Sequence, residues 1–278
     1  MTAKIDSHVH FWQIARGDYH WLSKDMLVLQ RDFNQEDFDT LRTRHQVSRI
    51  VLVQAAPTHA ETRYIMDLAH ECEYVAGVIG KVDIEKGDTA IQQLSELAGQ
   101  SIFRGIRPMI ENMAENSWMD LPALDPVIQE ITDLDLTFEC MVLPHELEAL
   151  TAWLNRHPKL KAVLSHAGMP NIRDNEFESW SRWIKRIASD TQVYCKLSGM
   201  TTLAAADWTV EDLRPYVEHL LYCFGHERLI WGSDWPVMLL AGDYHGWCKA
   251  CDTLLAELDE SMKQAIYFDN AKQFYRLS

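Results

Sequence analysis

The chain has 278 residues, 47% of them hydrophobic, enough to bury a full core in one large domain or two small ones. Its 26 lysines and arginines stand against 41 aspartates and glutamates, a net charge of -15. That balance argues against nucleic acid and anionic membrane surfaces, whose phosphates repel it, but places no limit on a small anionic substrate. No apolar run approaches the roughly 20 residues of a membrane span. The start of the chain has no signal-peptide pattern, and six scattered cysteines read as reduced thiols. A cytoplasmic protein is the expectation, with homo-oligomerisation left open.

In chain order, short apolar runs alternate with helical patterns. Strands are expected over 5–10, 50–54, 75–82, 102–106, 136–141, 162–165, 193–197 and 229–232. Helices are expected over 37–45, 62–73, 89–97, 124–134, 147–156, 177–189, 210–223 and 246–258, with a last one over 261–274. Ile65, Leu68 and Ala69 share one helical face, as do Ile91, Leu94 and Leu97. Eight such repeats in one unbroken α/β domain over 1–278 point to a single (β/α)8 TIM-type barrel rather than an open doubly wound sheet.

The polar residues at strand ends carry the chemistry. His8 and His10 sit two apart at the end of the first strand, so both rings project to the same face. Two convergent imidazoles suit a divalent metal or a catalytic cluster. His166 ends the sixth strand and Asp234 follows the eighth, within Gly232-Ser233-Asp234-Trp235-Pro236. A closed barrel brings these ends together, and the glycine permits close backbone approach. The bland alternatives are a structural histidine pair and an aspartate that caps a helix.

On the fourth strand, alternation sets Arg107 on the face of Gly105 and Arg104 on the opposite one. Arg107 is the better candidate to grip a substrate oxygen. Arg104 is either a second substrate contact or a structural ion-pair partner. Lys196 places a charge within a barrel strand and needs a partner or a ligand. Glu139 is its candidate partner, a ligand or a solvated side chain. The aromatic loop after the first strand offers Trp12 and Trp21 as a substrate-facing wall. Cys248 and Cys251 form an isolated CxxC that reads as packing. Nucleotide and serine-hydrolase motifs are absent from the sequence.

Five segments occur in order: Ile5-Asp6-Ser7-His8-Val9-His10-Phe11-Trp12, Phe103-Arg104-Gly105-Ile106-Arg107, Leu164-Ser165-His166-Ala167-Gly168-Met169-Pro170, Cys195-Lys196-Leu197-Ser198-Gly199 and Gly232-Ser233-Asp234-Trp235-Pro236. Together they resemble the amidohydrolase superfamily, in its amidohydrolase 2 group of sugar-lactone and dicarboxylate-lactone hydrolases. The resemblance implies a TIM-type barrel, hydrolysis of a lactone ring, and a site built from His8, His10, His166 and Asp234. The fifth strand lacks a lysine for carboxylation and a histidine at its end, the nearest being His145 in the loop beyond. A two-metal site is therefore not expected.

The expected reaction has Asp234 as general base on water and His166 at the carbonyl or its oxyanion. Arg107 and Lys196 orient the substrate, a small lactone. One divalent metal, zinc by preference, is held by His8, His10 and Asp234, or else the imidazoles act without it. A sugar-acid lactone such as that of a 6-deoxy-hexonic acid is the first choice. A carboxylated lactone using Arg104, Arg107 and Lys196, or a metal-dependent decarboxylation, is the alternative.

Overall fold

A computed structural model describes residues 3–109, 118–121 and 124–278. Eight parallel strands follow one another in sheet order: β1 (Lys4–Val9), β2 (Val47–Val53), β3 (Val75–Gly80), β4 (Phe103–Ile106), β5 (Thr137–Cys140), β6 (Lys161–Leu164), β7 (Tyr194–Leu197) and β8 (Leu229–Trp231). The helices between them are α1 (Gln35–Arg44), α2 (His59–Glu71), α3 (Asp88–Ala98), α4 (Leu124–Asp133), α5 (Leu147–Arg156), α6 (Phe177–Asp190) and α7 (Val210–Phe224). Helix α8 (Tyr244–Leu254) follows β8. The expected last helix is instead divided by a π turn, Ala265–Asp269, into α9 (Glu260–Gln264) and α10 (Asn270–Phe274).

Local chemistry starts the helices where the sequence places small polar residues. Asn34 and Asp37 form a reciprocal capping box on α1, and Thr58 Oγ1 accepts from Glu61 N at the start of α2. The outward faces of the strands, including Ile50, Leu52, Val78, Phe138, Leu164, Leu197 and Trp231, pack in one large apolar cluster with the helices. The inward residues Ile5, Val51, Val53, Ile79, Val163 and Ile230 form a second cluster with Phe274, Tyr275 and Leu277. The C-terminal segment thus plugs the end of the barrel where the strands begin.

The first and last strands meet through a hydrogen-bonded seam. Asp234 N donates to His8 O at 2.9 Å and His10 N to Trp235 O at 2.8 Å. Beneath them the buried Asp6 carboxylate accepts from His8 N, Ser233 N and Tyr244 Oη. This seam sets the tips of β1 and β8 side by side. Among the described residues, no helix is long and apolar enough to cross a membrane.

Candidate active site

The pairing register of β1 shifts between Asp6 and Val9. Ile5 therefore points into the barrel near its base, and His8 and His10 point into it near the mouth, although strict alternation from Ile5 puts them on the other face. The His8 and His10 ring centroids lie 4.9 Å apart, and those of His8 and His166 4.5 Å apart. Asp234 Oδ1 lies 3.6 Å from His8 Nε2, 3.3 Å from His10 Nε2 and 3.9 Å from His166 Nε2. All four residues are buried.

The backbone is bent to achieve this. His166 has φ 49° and Asp234 φ 64°, left-handed values uncommon outside glycine and typical of strain held at functional positions. Two glycines make room. A Cβ on Gly199 would lie 2.5 Å from His166 Nδ1, and one on Gly232 would lie 3.0 Å from His8 Cβ.

Hydrogen bonds assign the rings. His10 Nδ1 is 2.7 Å from Val53 O, which can only accept, so the proton sits on Nδ1. His10 Nε2 then presents a lone pair to Asp234 Oδ1 at 3.3 Å. Two acceptors this close call for a proton or a cation between them. Ser198 Oγ lies 3.0 Å from His166 Nδ1; with the hydroxyl donating, Nε2 carries the proton and faces the carboxylate.

Below His8 lies a buried polar chain. Lys196 Nζ donates to Glu139 Oε1 at 2.6 Å and to Ser7 O at 2.9 Å, and lies 3.0 Å from His8 Nδ1. Tyr275 Oη, from the C-terminal plug, donates to the same Glu139 oxygen at 2.8 Å. Arg107 is likewise engaged: Nε donates to Gln54 Oε1, Nη2 to Gln54 O, and Nη1 lies 3.3 Å from His8 Nε2.

These surroundings tune the charges. Burial pushes the Asp234 carboxyl up, but His166, His10 and the Arg107 guanidinium outweigh it and hold the carboxyl below its ordinary range. Burial lowers His166 to about 4 against the pull of Asp234, and drives His8 well below the usual histidine range. Burial also lowers Lys196 and Arg107. At neutral pH the Asp234 carboxylate is ionised beside the neutral imidazoles of His8 and His166.

His8, His10 and Asp234 offer ligand atoms all within 4.8 Å of one another. Two imidazole nitrogens and a carboxylate oxygen are a zinc-type donor set, and the lone pair His10 aims at the carboxylate fits a divalent ion.

The cluster forms the floor of a cavity of about 350 Å³. Trp21 and Met26 line it from the loop after β1, and Met109, Met141 and Met169 from the chain beyond β4, β5 and β6. Thr202 and Leu203 follow β7, and Val237 and Leu240 follow β8. The loop that carries Trp21 is anchored from behind. Trp21 Nε1 donates to Ala55 O, and buried Glu61 accepts from Tyr19 Oη at 2.9 Å and Ala55 N at 3.2 Å. Burial pushes the Glu61 carboxyl up to about 7.

The structure brings His8, His10, His166, Asp234, Arg107 and Trp21 together. It does not bring the other three expected substrate contacts to the cavity. Arg104 lies at the opposite end of the barrel, its stem across Gly77 and its guanidinium near Arg276, because it stands at the start of β4, three residues before Arg107. Trp12 is only 1% exposed, donates to Arg31 O and packs edge-on against Trp21 and Phe33, so it supports the wall from behind. Lys196 is sealed beneath His8 by Glu139. His145 is exposed in a short turn beyond β5, outside the cavity. Sequence reasoning missed Gln54, Ser198 and Tyr275. Gln54 carried a usable signal, as the polar end of the apolar run Ile50-Val51-Leu52-Val53.

Known proteins resemble this chain over nearly its whole length. An amidohydrolase family model matches residues 5–277. An L-fucono-1,5-lactonase of Burkholderia ambifaria is 39% identical over 281 residues, covering 100% of this chain and 97% of its own. An L-fucono-1,5-lactonase of Burkholderia multivorans is 32% identical, covering 87% of this chain and 84% of its own. The crystal structure of a zinc-bound amidohydrolase from Burkholderia multivorans superposes with a TM-score of 0.91 at 28% identity, over 99% of this chain and 100% of that one. The chain belongs to the amidohydrolase family.

Proposed function

We propose that this protein is a lactonase that opens the ring ester of a sugar-acid lactone, with Asp234 as its general base. One observation carries the assignment of the base: an ionised carboxylate, held by His166, His10 and Arg107, faces the cavity at the barrel mouth. The substrate class is supported by the two full-length relatives named L-fucono-1,5-lactonase.

Asp234 takes a proton from water as the oxygen attacks the lactone carbonyl. Negative charge then develops on the carbonyl oxygen. The His166 Nε2–H donates to that oxygen, and the buried Arg107 charge stabilises it at short range in a site poor in water. The tetrahedral centre collapses, the ring C–O bond breaks, and protonated Asp234 returns its proton to the departing ring oxygen. The product is the open hydroxy acid, and Asp234 is ionised again. His8, His10 and Asp234 would hold a divalent ion, zinc by this reading, which supplies Lewis acidity at the carbonyl. Lys196 and Glu139 act from beneath by fixing the His8 ring.

The test is proton release in weak buffer over a panel of sugar lactones and carboxylated lactones, before and after chelation. Sugar-lactone turnover is expected. Its loss on chelation supports the metal-assisted form; its survival leaves Asp234 and the histidines as the catalytic apparatus. Silence over the whole panel refutes the lactonase reading.

A further inference from the structure

The cavity above the catalytic floor is poor in polar groups and short of cations. Outside the floor, Thr202 and the Trp21 indole are its polar lining side chains among the described residues. The Thr202 hydroxyl donates to Gly199 O, and the indole N–H to Ala55 O. Arg107 is the one lysine or arginine that lines the cavity among those residues, and its guanidinium donates to Gln54 and approaches His8. Among the described residues, a substrate carboxylate held away from Arg107 therefore meets no cation on the cavity wall and loses its hydration uncompensated.

One wall is apolar throughout. Met26, from the loop after β1, stands with Val237 and Leu240, three and six residues beyond Asp234. The turn Leu27–Leu29 packs against the turn Val237–Leu240, so the two loops make one surface. Leu240 is 40% exposed, which carries the apolar surface out to the rim.

Resting on the lactonase reading, we infer that Met26, Val237 and Leu240 receive the exocyclic carbon of the lactone and set specificity. They accept a methyl group there, disfavour a hydroxymethyl and reject a carboxylate. An apolar wall discriminates weakly against an added hydroxyl and strongly against an unpaired charge, because desolvation of the charge costs far more.

The test uses three lactones of one ring size and one stereochemistry that differ only at that carbon: methyl, hydroxymethyl and carboxylate. For the wild-type enzyme, kcat/KM is expected to favour methyl over hydroxymethyl by about 10- to 100-fold, with the carboxylate slower still. Val237→Thr keeps the side-chain shape and is expected to lower the methyl preference at least about threefold. Leu240→Arg, at a position 40% exposed, supplies a free cation and is expected to raise carboxylate turnover at least about tenfold. Wild-type rates that are equal across the three lactones overturn the inference and leave the lactonase reading intact. Preferences that neither variant changes overturn the assignment of this wall. No hydrolysis of any of the three, beside a positive result on the wider panel, overturns the inference alone; no hydrolysis anywhere overturns both.

Discussion

The barrel holds two polar clusters a few ångströms apart, and they are built on opposite terms. In the lower one, Lys196 lies within 3.0 Å of Glu139, Ser7 O and His8, and Glu139 Oε1 takes both Lys196 and Tyr275, while Oε2 has no hydrogen-bond partner among the described residues. In the upper one, Asp234 faces a histidine lone pair and open cavity, and its backbone and that of His166 are held at positive φ. A buried, charge-paired network holds its members in place; a strained one open to a cavity is where chemistry is placed. The lower cluster anchors His8 so that the upper one can keep a carboxylate ionised and uncommitted.

The comparison can be broken most severely at Gly199. A side chain there collides with the His166 ring, so Gly199→Ala should lower kcat by about 100-fold through misplacement of His166. Circular dichroism should still report a folded barrel. An active Gly199→Ala enzyme would show that the His166 position is not needed.

The lower cluster should fail in stability. Lys196→Met leaves Glu139 buried without its cation, a loss of about 3–5 kcal/mol in chemical denaturation. Adding Glu139→Gln should recover part of that loss. Equal destabilisation by the single and double variants would mean the pair is not coupled.

A smaller effect is expected behind the Trp21 wall. The Glu61 carboxyl is raised to about 7 in the folded protein, from an ordinary 4.5. The folded state therefore binds the proton more tightly, and stability falls as pH rises from about 4.5 through 7. Glu61→Gln cannot ionise. Its stability should exceed the pH trend of the wild type by up to about 3 kcal/mol across that window. Parallel pH curves for the two proteins would contradict the raised value.

The smallest effect belongs to Arg104, at the far end of the barrel. Arg104→Met should leave kcat/KM within about twofold on any lactone. A larger loss, with unchanged melting, would return Arg104 to the site.

Much of this was legible in the sequence. Apolar runs that end in His10, His166 and Asp234 revealed both the barrel and the cluster, because parallel strands aim their C-terminal ends at one mouth. Alternation set Arg104 apart from Arg107, and in the structure the two differ in height along the barrel, Arg104 beside Gly77 and Arg276 and Arg107 beside His8, although both were kept as substrate contacts. The register shift in β1 was not legible, since a bulge depends on pairing with β2 and leaves no mark in Ile5-Asp6-Ser7-His8. Nor was Tyr275, which reaches Glu139 only because the chain end folds back into the barrel. Trp12 was misplaced for a related reason: composition shows an aromatic loop but not which ring faces inward.

The central claim is that Asp234 moves the proton when a lactone is opened. Its most direct test is the kcat of Asp234→Asn beside wild type on a sugar lactone, with circular dichroism as the control for folding. The account predicts a loss of roughly 100- to 10,000-fold in a folded protein. Turnover near the wild-type value would contradict it and place the base elsewhere in the cluster.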